Sequence, residues 1–443
     1  MREERNDARS AALRVLRQMD RAAAWADAGL DAELRRSGLA GQEAALAARL
    51  VYGVLQNRAL LDHYLGAYCS QKIDHLQKPL ADILRLGAYQ IVFLDRVPDS
   101  AAVNTSVELC RDCGRGQASG LVNAVLRKVA ANKDNLPPVP ERDAVAYLAT
   151  RYSHPKWLVR RLLALLGRED AEAFLRADNA PAPIIVQTNT ILTAPEALRA
   201  SLEAEGVRVT PGLLPGSFQL RGTGNLTKLS AFQAGLFQVQ DDAAALVTEA
   251  MGLRGGEAVL DVCAAPGGKS FRCAMAMGDK GRIVACDLYE NKLRRIEAGA
   301  KRLHLTAIET AALDGRFFRA EWENAFDVVL VDAPCSGLGI IRKKPEIRYK
   351  KADELFALPV AQTAILENAG RYVKPGGLLL YSTCTILPEE NGQVTDEFLS
   401  NHQGFRREGF TLPIGEVPEG QVTLWPQRQG TDGFYICRMR KAT

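Results

Sequence analysis

From about Gly255 onward the chain repeats one pattern: an apolar run, a glycine turn, then a helical stretch. The runs at 258–262, 283–286, 328–331 and 378–381 have the length and bulk of strands buried on both faces. A further strand is expected at 308–313, and helical stretches such as 291–303 and 356–373 lie between the runs. Strands alternating with helices pair in parallel through crossovers, so the expected class is α/β, a doubly wound sheet that binds ligands at the carboxyl ends of its strands. The segments 421–424 and 434–439, around a Gly430-Thr-Asp-Gly433 turn, read as a closing antiparallel pair.

The first 130 or so residues carry a different period. Ala12, Val15, Leu16 and Met19 recur at the spacing of one helical face, and Val122, Val125, Leu126 and Val129 repeat it, leaving Arg127 and Lys128 toward solvent. An all-α domain over residues 1–135 follows. Asp134-Asn-Leu-Pro-Pro-Val-Pro140 cannot continue a helix and reads as a linker. Residues 145–235 are expected to hold linker helices and a small α+β insert. In that insert Ile184-Ile-Val-Gln-Thr-Asn, Val207-Arg-Val-Thr and Phe218-Gln-Leu-Arg read as strands. Thr193-Ala-Pro-Glu196 reads as a capping box opening a helix that Gly206 closes. The doubly wound domain then occupies 236–443.

Composition narrows the class further. A chain of 443 residues with 47% hydrophobic and 24% charged residues is neither disordered nor fibrous. No stretch approaches the ~18 apolar residues of a membrane span, and the polar start Met1-Arg-Glu-Glu-Arg-Asn-Asp has no apolar run behind it, so a cytoplasmic protein is expected. Nine cysteines, an odd number, read as reduced thiols rather than a disulfide framework. Cys110-Arg-Asp-Cys113 lacks a second pair and the five histidines are scattered, so no metal is expected. The net charge of +4 is spread along the chain; what stands out is local. Arg342, Lys343, Lys344, Arg348, Lys350 and Lys351 fall within ten positions, against Glu346 alone. Such a run is either a solvated face or a phosphate-binding segment.

Val259-Leu-Asp-Val-Cys263-Ala-Ala-Pro-Gly267-Gly268-Lys269-Ser270 runs from a strand through a glycine turn into a helix, where backbone approaches a ligand closely. Cys263 stands where a triphosphate-binding loop needs glycine, and only an adjacent glycine pair is present where a dinucleotide fingerprint needs three spaced ones. A nucleoside-type cofactor is the remaining reading. Asp287 follows the second strand where such folds place a ribose-binding carboxylate, and could equally be a helix-start aspartate; Asp314 occupies the next loop, where it could face an adenine, though such an aspartate alone is more often a turn residue.

Asp332-Ala-Pro-Cys335-Ser-Gly-Leu-Gly339 ends the fourth strand and Tyr381-Ser-Thr-Cys384-Thr ends the fifth. A lone cysteine is most often a small apolar residue, but two thiols and a carboxylate on one sheet rim suit methylation of a pyrimidine at C5. Thiolate addition to C6 makes C5 nucleophilic, an acidic contact at N3 (from Asp332) favours the addition, and a base then removes the C5 proton. The base must be unstacked or single-stranded.

These three segments, with Pro388-Glu-Glu-Asn391, resemble the motifs of RNA cytosine-5 methyltransferases that use S-adenosylmethionine. Ala102-Val-Asn-Thr-Ser-Val-Glu-Leu109 and Gly120-Leu-Val-Asn-Ala-Val-Leu-Arg-Lys128 resemble the NusB-like RNA-binding domain, and with Arg151-Tyr-Ser-His-Pro-Lys-Trp157 the arrangement is similar to bacterial 16S rRNA cytosine-5 methyltransferases. The resemblance covers nearly the whole chain. It implies a Rossmann-like methyltransferase domain, Cys384 as the nucleophile and Cys335 as the thiol that helps resolve the adduct. It also implies cofactor contacts from Cys263, Ala264, Ala265, Pro266, Gly267, Gly268, Lys269, Asp287, Asp314 and Asp332. The implied partner is 16S rRNA, naked or in an assembling small subunit, bound by a monomer. Ser382-Thr-Cys-Thr and Ile341-Arg-Lys-Lys-Pro-Glu-Ile-Arg348 depart from the commoner Ala-Thr-Cys-Ser and Arg-Arg-His-Pro-Asp forms.

Set beside the Cys335 loop, the basic run 342–351 becomes a phosphate-binding expectation. Arg151, Tyr152, His154, Lys156, Trp157, Arg160 and Arg161 form a second basic and aromatic mixture, open to either RNA contact or domain packing. Two rivals stand beside the main reading: a DNA cytosine-5 methyltransferase, and a non-catalytic rRNA-binding assembly factor.

Overall fold

The computed structural model describes residues 6–22, 26–355 and 357–443. Met1–Arg5, part of the polar start, and Phe356, the expected first residue of a helix, lie outside the described residues. The chain forms two compact units: one of residues up to Ala180 together with Ile341–Lys350, the other of Pro181–Ile340 and Lys351–Thr443. After Ile340 the chain therefore leaves the second unit, contributes ten residues to the first, and returns.

The first unit is helical. Helices Ala8–Ala22, Gly41–Gly66, Lys78–Phe93, Asp99–Asp112 and Ser119–Ala131 share one core to which Ala12, Val15, Leu16, Val122, Val125, Leu126 and Val129 all contribute. Lys78–Phe93 is the central helix, buried from Leu80 to Ile91. Close packing there needs glycine, since a Cβ at Gly53 would fall 1.9 Å from the Tyr89 ring. On the central helix the buried Arg85 donates to Asp62 at 2.8 and 2.9 Å and to Asp82 at 2.9 Å, as a buried charge must. Ala144–Arg151 and Lys156–Asp178, the expected linker helices, belong to this unit.

The second unit begins with the insert. Strands β1 (Ile184–Thr188), β2 (Arg208–Pro211), β3 (Ser217–Arg221) and β4 (Phe237–Val239) form an antiparallel sheet of order β2-β3-β1-β4. Val186, Phe218, Leu220 and Phe237 pack against Leu198 and Leu202 of helix Pro195–Ala204. The expected capping box is not made. Pro195 takes the first helical turn, so the cap falls on Ala194 without a side-chain hydrogen bond, and Thr193 sits one residue too early.

The main sheet contains β5 (Ala258–Asp261), β6 (Arg282–Asp287), β7 (Ile308–Ala312), β8 (Phe326–Asp332), β9 (Val373–Thr383), β10 (Phe405–Arg407), β13 (Gln421–Leu424) and β14 (Phe434–Lys441). A separate hairpin pairs β11 (Phe410–Leu412) with β12 (Gly415–Val417). The sheet order is β10-β14-β9-β8-β5-β6-β7, parallel from β9 to β7, with β14 antiparallel to β9 and β13 antiparallel to β14. Alternate residues enter opposite cores: Val328, Leu330, Leu378 and Leu380 one, Val329, Val331, Leu379 and Tyr381 the other. Both faces are thus buried, which explains the unbroken apolar runs. Strand order reverses between β5 and β8, so the crevice of this doubly wound sheet opens where the loops after Asp261 and Asp332 leave it. Among the described residues no helix is long and apolar enough to cross a membrane.

Candidate active site

Four strand exits supply the groups. At the end of β5, the buried Asp261 accepts a 2.6 Å hydrogen bond from Ser270 Oγ on its Oδ2, while its Oδ1 has no partner. Burial pushes this carboxyl up to about 7, because the charged form loses its water. The turn that follows contains a cis Ala265–Pro266 bond and Gly267 at φ +106°. A Cβ at Gly267 would fall 2.4 Å from Phe271 Cζ, so the loop can pass over its own helix, Gly268–Ala276, only as glycine.

At the ends of β6 and β7, Leu313 N–H donates to Asp287 C=O at 3.1 Å and binds the two loops together. Asp287 is buried, accepts from Tyr289 N–H at 3.1 Å, and has Lys292 Nζ 3.3 Å away. Asp314 is held by both arms of Arg316, at 2.9 and 2.6 Å, and that pairing lowers its carboxyl below the ordinary range.

The exits of β8 and β9 carry the reactive groups. Asp332 faces Ser382 in the parallel ladder, and Ser382 Oγ donates to Asp332 Oδ1 at 2.8 Å. Its other oxygen accepts from Lys269 Nζ at 2.7 Å. Burial alone would lower the Lys269 ammonium, but the Asp332 carboxylate reverses this and raises it. Three residues past Asp332 and two past Ser382, Cys335 Sγ and Cys384 Sγ lie 3.3 Å apart. The hydrogen bond to Cys384, then burial, hold Cys335 far above the usual thiol range. One carboxylate, one ammonium and two sulfurs on adjacent loops can add a nucleophile to a ring, hold a proton at a ring nitrogen and take one from carbon.

The sequence alone assigns no role to Ser382 or to Phe434, whose ring lies 4.9 Å from Lys269 Nζ. Ser382 could have been found from its register opposite Asp332. Phe434 lies in a strand distant in sequence and gives no such signal.

The basic run needs correction. Ile341, Pro345 and Ile347 are buried, and they take the segment into the helical unit as the short turn Pro345–Tyr349. Arg348 is 0% exposed there. Its guanidinium donates to the carbonyls of Gln56, Tyr152 and Ser153 at 3.0, 3.3 and 3.2 Å and to Asn179 Oδ1 at 3.0 Å. Arg342 is also buried, Lys343, Lys344 and Lys350 are half-buried, and only Lys351 is exposed. Arg348 is therefore a buried donor that holds the helical unit together, not part of an exposed basic face. The second mixture divides likewise: Tyr152 and His154 are buried, with His154 pushed well down by burial, while Arg151, Lys156, Arg160 and Arg161 are exposed.

The family model for 16S rRNA methyltransferase RsmB/F matches residues 249–440, the NusB family model 6–131, and a ferredoxin-like domain model of RsmF/B-like methyltransferases 154–227. The chain is 36% identical to a probable ribosomal RNA small subunit methyltransferase B of Bacillus subtilis, over 98% of each chain. It is 32% identical to the ribosomal RNA small subunit methyltransferase B of Vibrio cholerae, over 90% of this chain and 89% of that one. The crystal structure of PH0851 superposes with a TM-score of 0.82 at 26% identity, covering 99% of both chains. A doubly wound sheet with this rim, joined to a NusB-type helical region and a ferredoxin-like insert, defines an RNA methyltransferase. Within that class, the chain belongs to the 16S rRNA methyltransferase RsmB/F family, alongside the small subunit methyltransferases B.

Proposed function

We propose that the protein methylates C5 of a specific cytosine in 16S rRNA, through a covalent bond from Cys384 to C6 that is resolved with help from Cys335. The observation that carries this reading is the 3.3 Å separation of Cys335 and Cys384 Sγ beside the Lys269–Asp332 pair. The family membership supports the substrate.

The residues at the β5 exit fit S-adenosylmethionine: a glycine turn that no Cβ could occupy, an orphaned buried oxygen on Asp261, and the Asp287 carboxylate as an acceptor for ribose hydroxyls. Cys263 to Lys269, Asp287 and Asp314 would hold it. When bound, it supplies a methyl group carried on a sulfonium centre. Cys384 thiolate forms the S–C6 bond, and the C5–C6 electron pair shifts so that C5 becomes the nucleophile. Asp332, fixed by Lys269 and Ser382, accepts the N–H of a protonated N3 and so holds in place the proton that neutralises the charge developing on the ring. Once C5 carries the methyl group, its proton passes to a base assisted by Cys335. The C5–C6 double bond re-forms, and the Cys384 thiolate leaves. The helical domain supplies RNA affinity, and the exposed Lys351 is a phosphate contact.

The test is methyl transfer to small-subunit rRNA, with base-resolved mapping of 5-methylcytosine. Transfer to rRNA, not DNA, is expected, and Cys384→Ala should abolish it while cofactor binding persists. Full turnover by that variant would refute the assignment. Cofactor titration separates this reading from a non-catalytic assembly factor.

A further inference from the structure

Neither sulfur sits on a regular element. Cys335 and Cys384 lie just past the ends of β8 and β9, so something outside the ladder must fix their separation. The buried residues behind them do this. Glu390 is 1% exposed, and its Oε2 accepts from the Ser336 backbone N–H at 2.8 Å and from Gln362 Nε2 at 3.0 Å. Gln362 Nε2 also donates to Pro334 C=O at 3.0 Å. The residues before and after Cys335 are therefore both pinned. Asn391 does the same for Cys384: its Oδ1 accepts from Thr383 Oγ1 at 2.5 Å and its Nδ2 donates to Thr385 C=O at 3.1 Å. The two brackets meet at Glu390, whose Oε1 accepts from Thr385 Oγ1 at 3.3 Å, and at the 2.7 Å contact between Ser336 Oγ and Thr385 Oγ1. Tyr381 OH donates to the Glu390 carbonyl at 2.6 Å and ties the bridge back to β9.

The donors that reach the Glu390 carboxylate are neutral, and burying such a group is costly. Glutamine would fill the same space more cheaply, but its amide offers acceptor lone pairs at one end only and donors at the other. With its oxygen toward Ser336 and Gln362, the amide nitrogen would face Thr385 Oγ1, which can accept by turning its own proton toward Ser336 Oγ, so glutamine keeps the bridge and removes its charge. An apolar side chain keeps neither.

We propose that Glu390 is a positioning residue for methyl transfer, whose carboxylate sets the separation of the Cys335 and Cys384 sulfurs by holding the residue that follows each. This rests on the function proposed above. The carboxylate has a second effect on Cys335. Its negative charge adds to the Cys384 contact and to burial in raising that thiol, so the resolving cysteine keeps its proton while its neighbour attacks.

The experiment compares the full-length protein with Glu390→Leu, which removes both acceptors, and, as a milder isosteric break, Thr385→Val. Single-turnover methylation of small-subunit rRNA should fall about 100-fold in Glu390→Leu and roughly tenfold in Thr385→Val, as displacement of reacting groups by about 1 Å does. The KM for RNA and the affinity for S-adenosylmethionine should stay within about twofold, the pattern of an interaction used only in the transition state. A second readout needs no RNA: the pH profile of Cys335 alkylation by iodoacetamide, measured in a Cys384→Ser background. Glu390→Gln should move its midpoint to lower pH by about one unit. Unchanged single-turnover rates in both variants, or an unmoved alkylation midpoint, would overturn the proposal. If unaltered protein methylates no rRNA, the function fails instead, and the alkylation profile still decides whether Glu390 governs the thiol.

Discussion

Lys269 Nζ lies 2.7 Å from Asp332 Oδ2, a contact that joins the first turn of helix Gly268–Ala276 to the last residue of β8 across the reversal point of the sheet. In the proposed function, the pair connects the cofactor end of the site to its chemical end. Lys269→Met keeps the length of the side chain and removes the charge, leaving Asp332 with only the Ser382 hydroxyl. We expect single-turnover methyl transfer to drop about 100-fold or more, the range of a lost acid–base partner. Lys269→Arg should recover little, because a planar fork does not replace a compact ammonium at this distance.

Asp261 gives a pH-dependent stability with a definite sign. Its carboxyl titrates at about 7 in the fold and near 3.8 when unfolded. Between those values the folded chain keeps a proton that the unfolded chain releases, so stability is complete below about pH 4 and falls as pH rises through 7. Asp261→Asn has no such group. Chemical denaturation at pH 5 and pH 8 should show the wild type losing stability relative to the variant by up to roughly 3 kcal/mol, about two pK units. A difference independent of pH would count against a protonated Asp261.

Arg348 tests the correction to the basic run. Arg348→Met leaves the carbonyls of Gln56, Tyr152 and Ser153 and the Asn179 side chain without their shared donor in a buried place. The helical unit should lose about 3–5 kcal/mol, read as an earlier melting transition. The salt dependence of rRNA binding, measured below that transition, should keep its slope; a slope lower by about one would mean that Arg348 neutralises a phosphate after all.

The outcome for these residues shows what a sequence carries. The catalytic sheet was legible because strands buried on both faces write unbroken apolar runs, as 328–331 and 378–381 do. Cys335 and Cys384 could be placed on one rim because both follow such runs on neighbouring strands. Their 3.3 Å approach was not legible, since it depends on hydrogen bonds with Glu390, Asn391 and Gln362, residues in two other segments. Arg348 misled for a related reason. A count of charges ignores the neighbouring Ile341, Pro345 and Ile347, which turn the segment inward. Capping failed at Thr193 by one residue because Pro195 fixed the helix start locally.

Cys335 and Cys384 have different tasks if the proposed chemistry holds, and one gel separates them. Purified Cys335→Ala and Cys384→Ala proteins are incubated with small-subunit rRNA and S-adenosylmethionine, then run under denaturing conditions. Cys335→Ala should give a slow-migrating, nuclease-sensitive protein–RNA band, because Cys384 still bonds to C6 and cannot be released. Cys384→Ala should give none. A band from Cys384→Ala, or none from Cys335→Ala that still binds RNA and cofactor, would contradict the assignment of the two thiols.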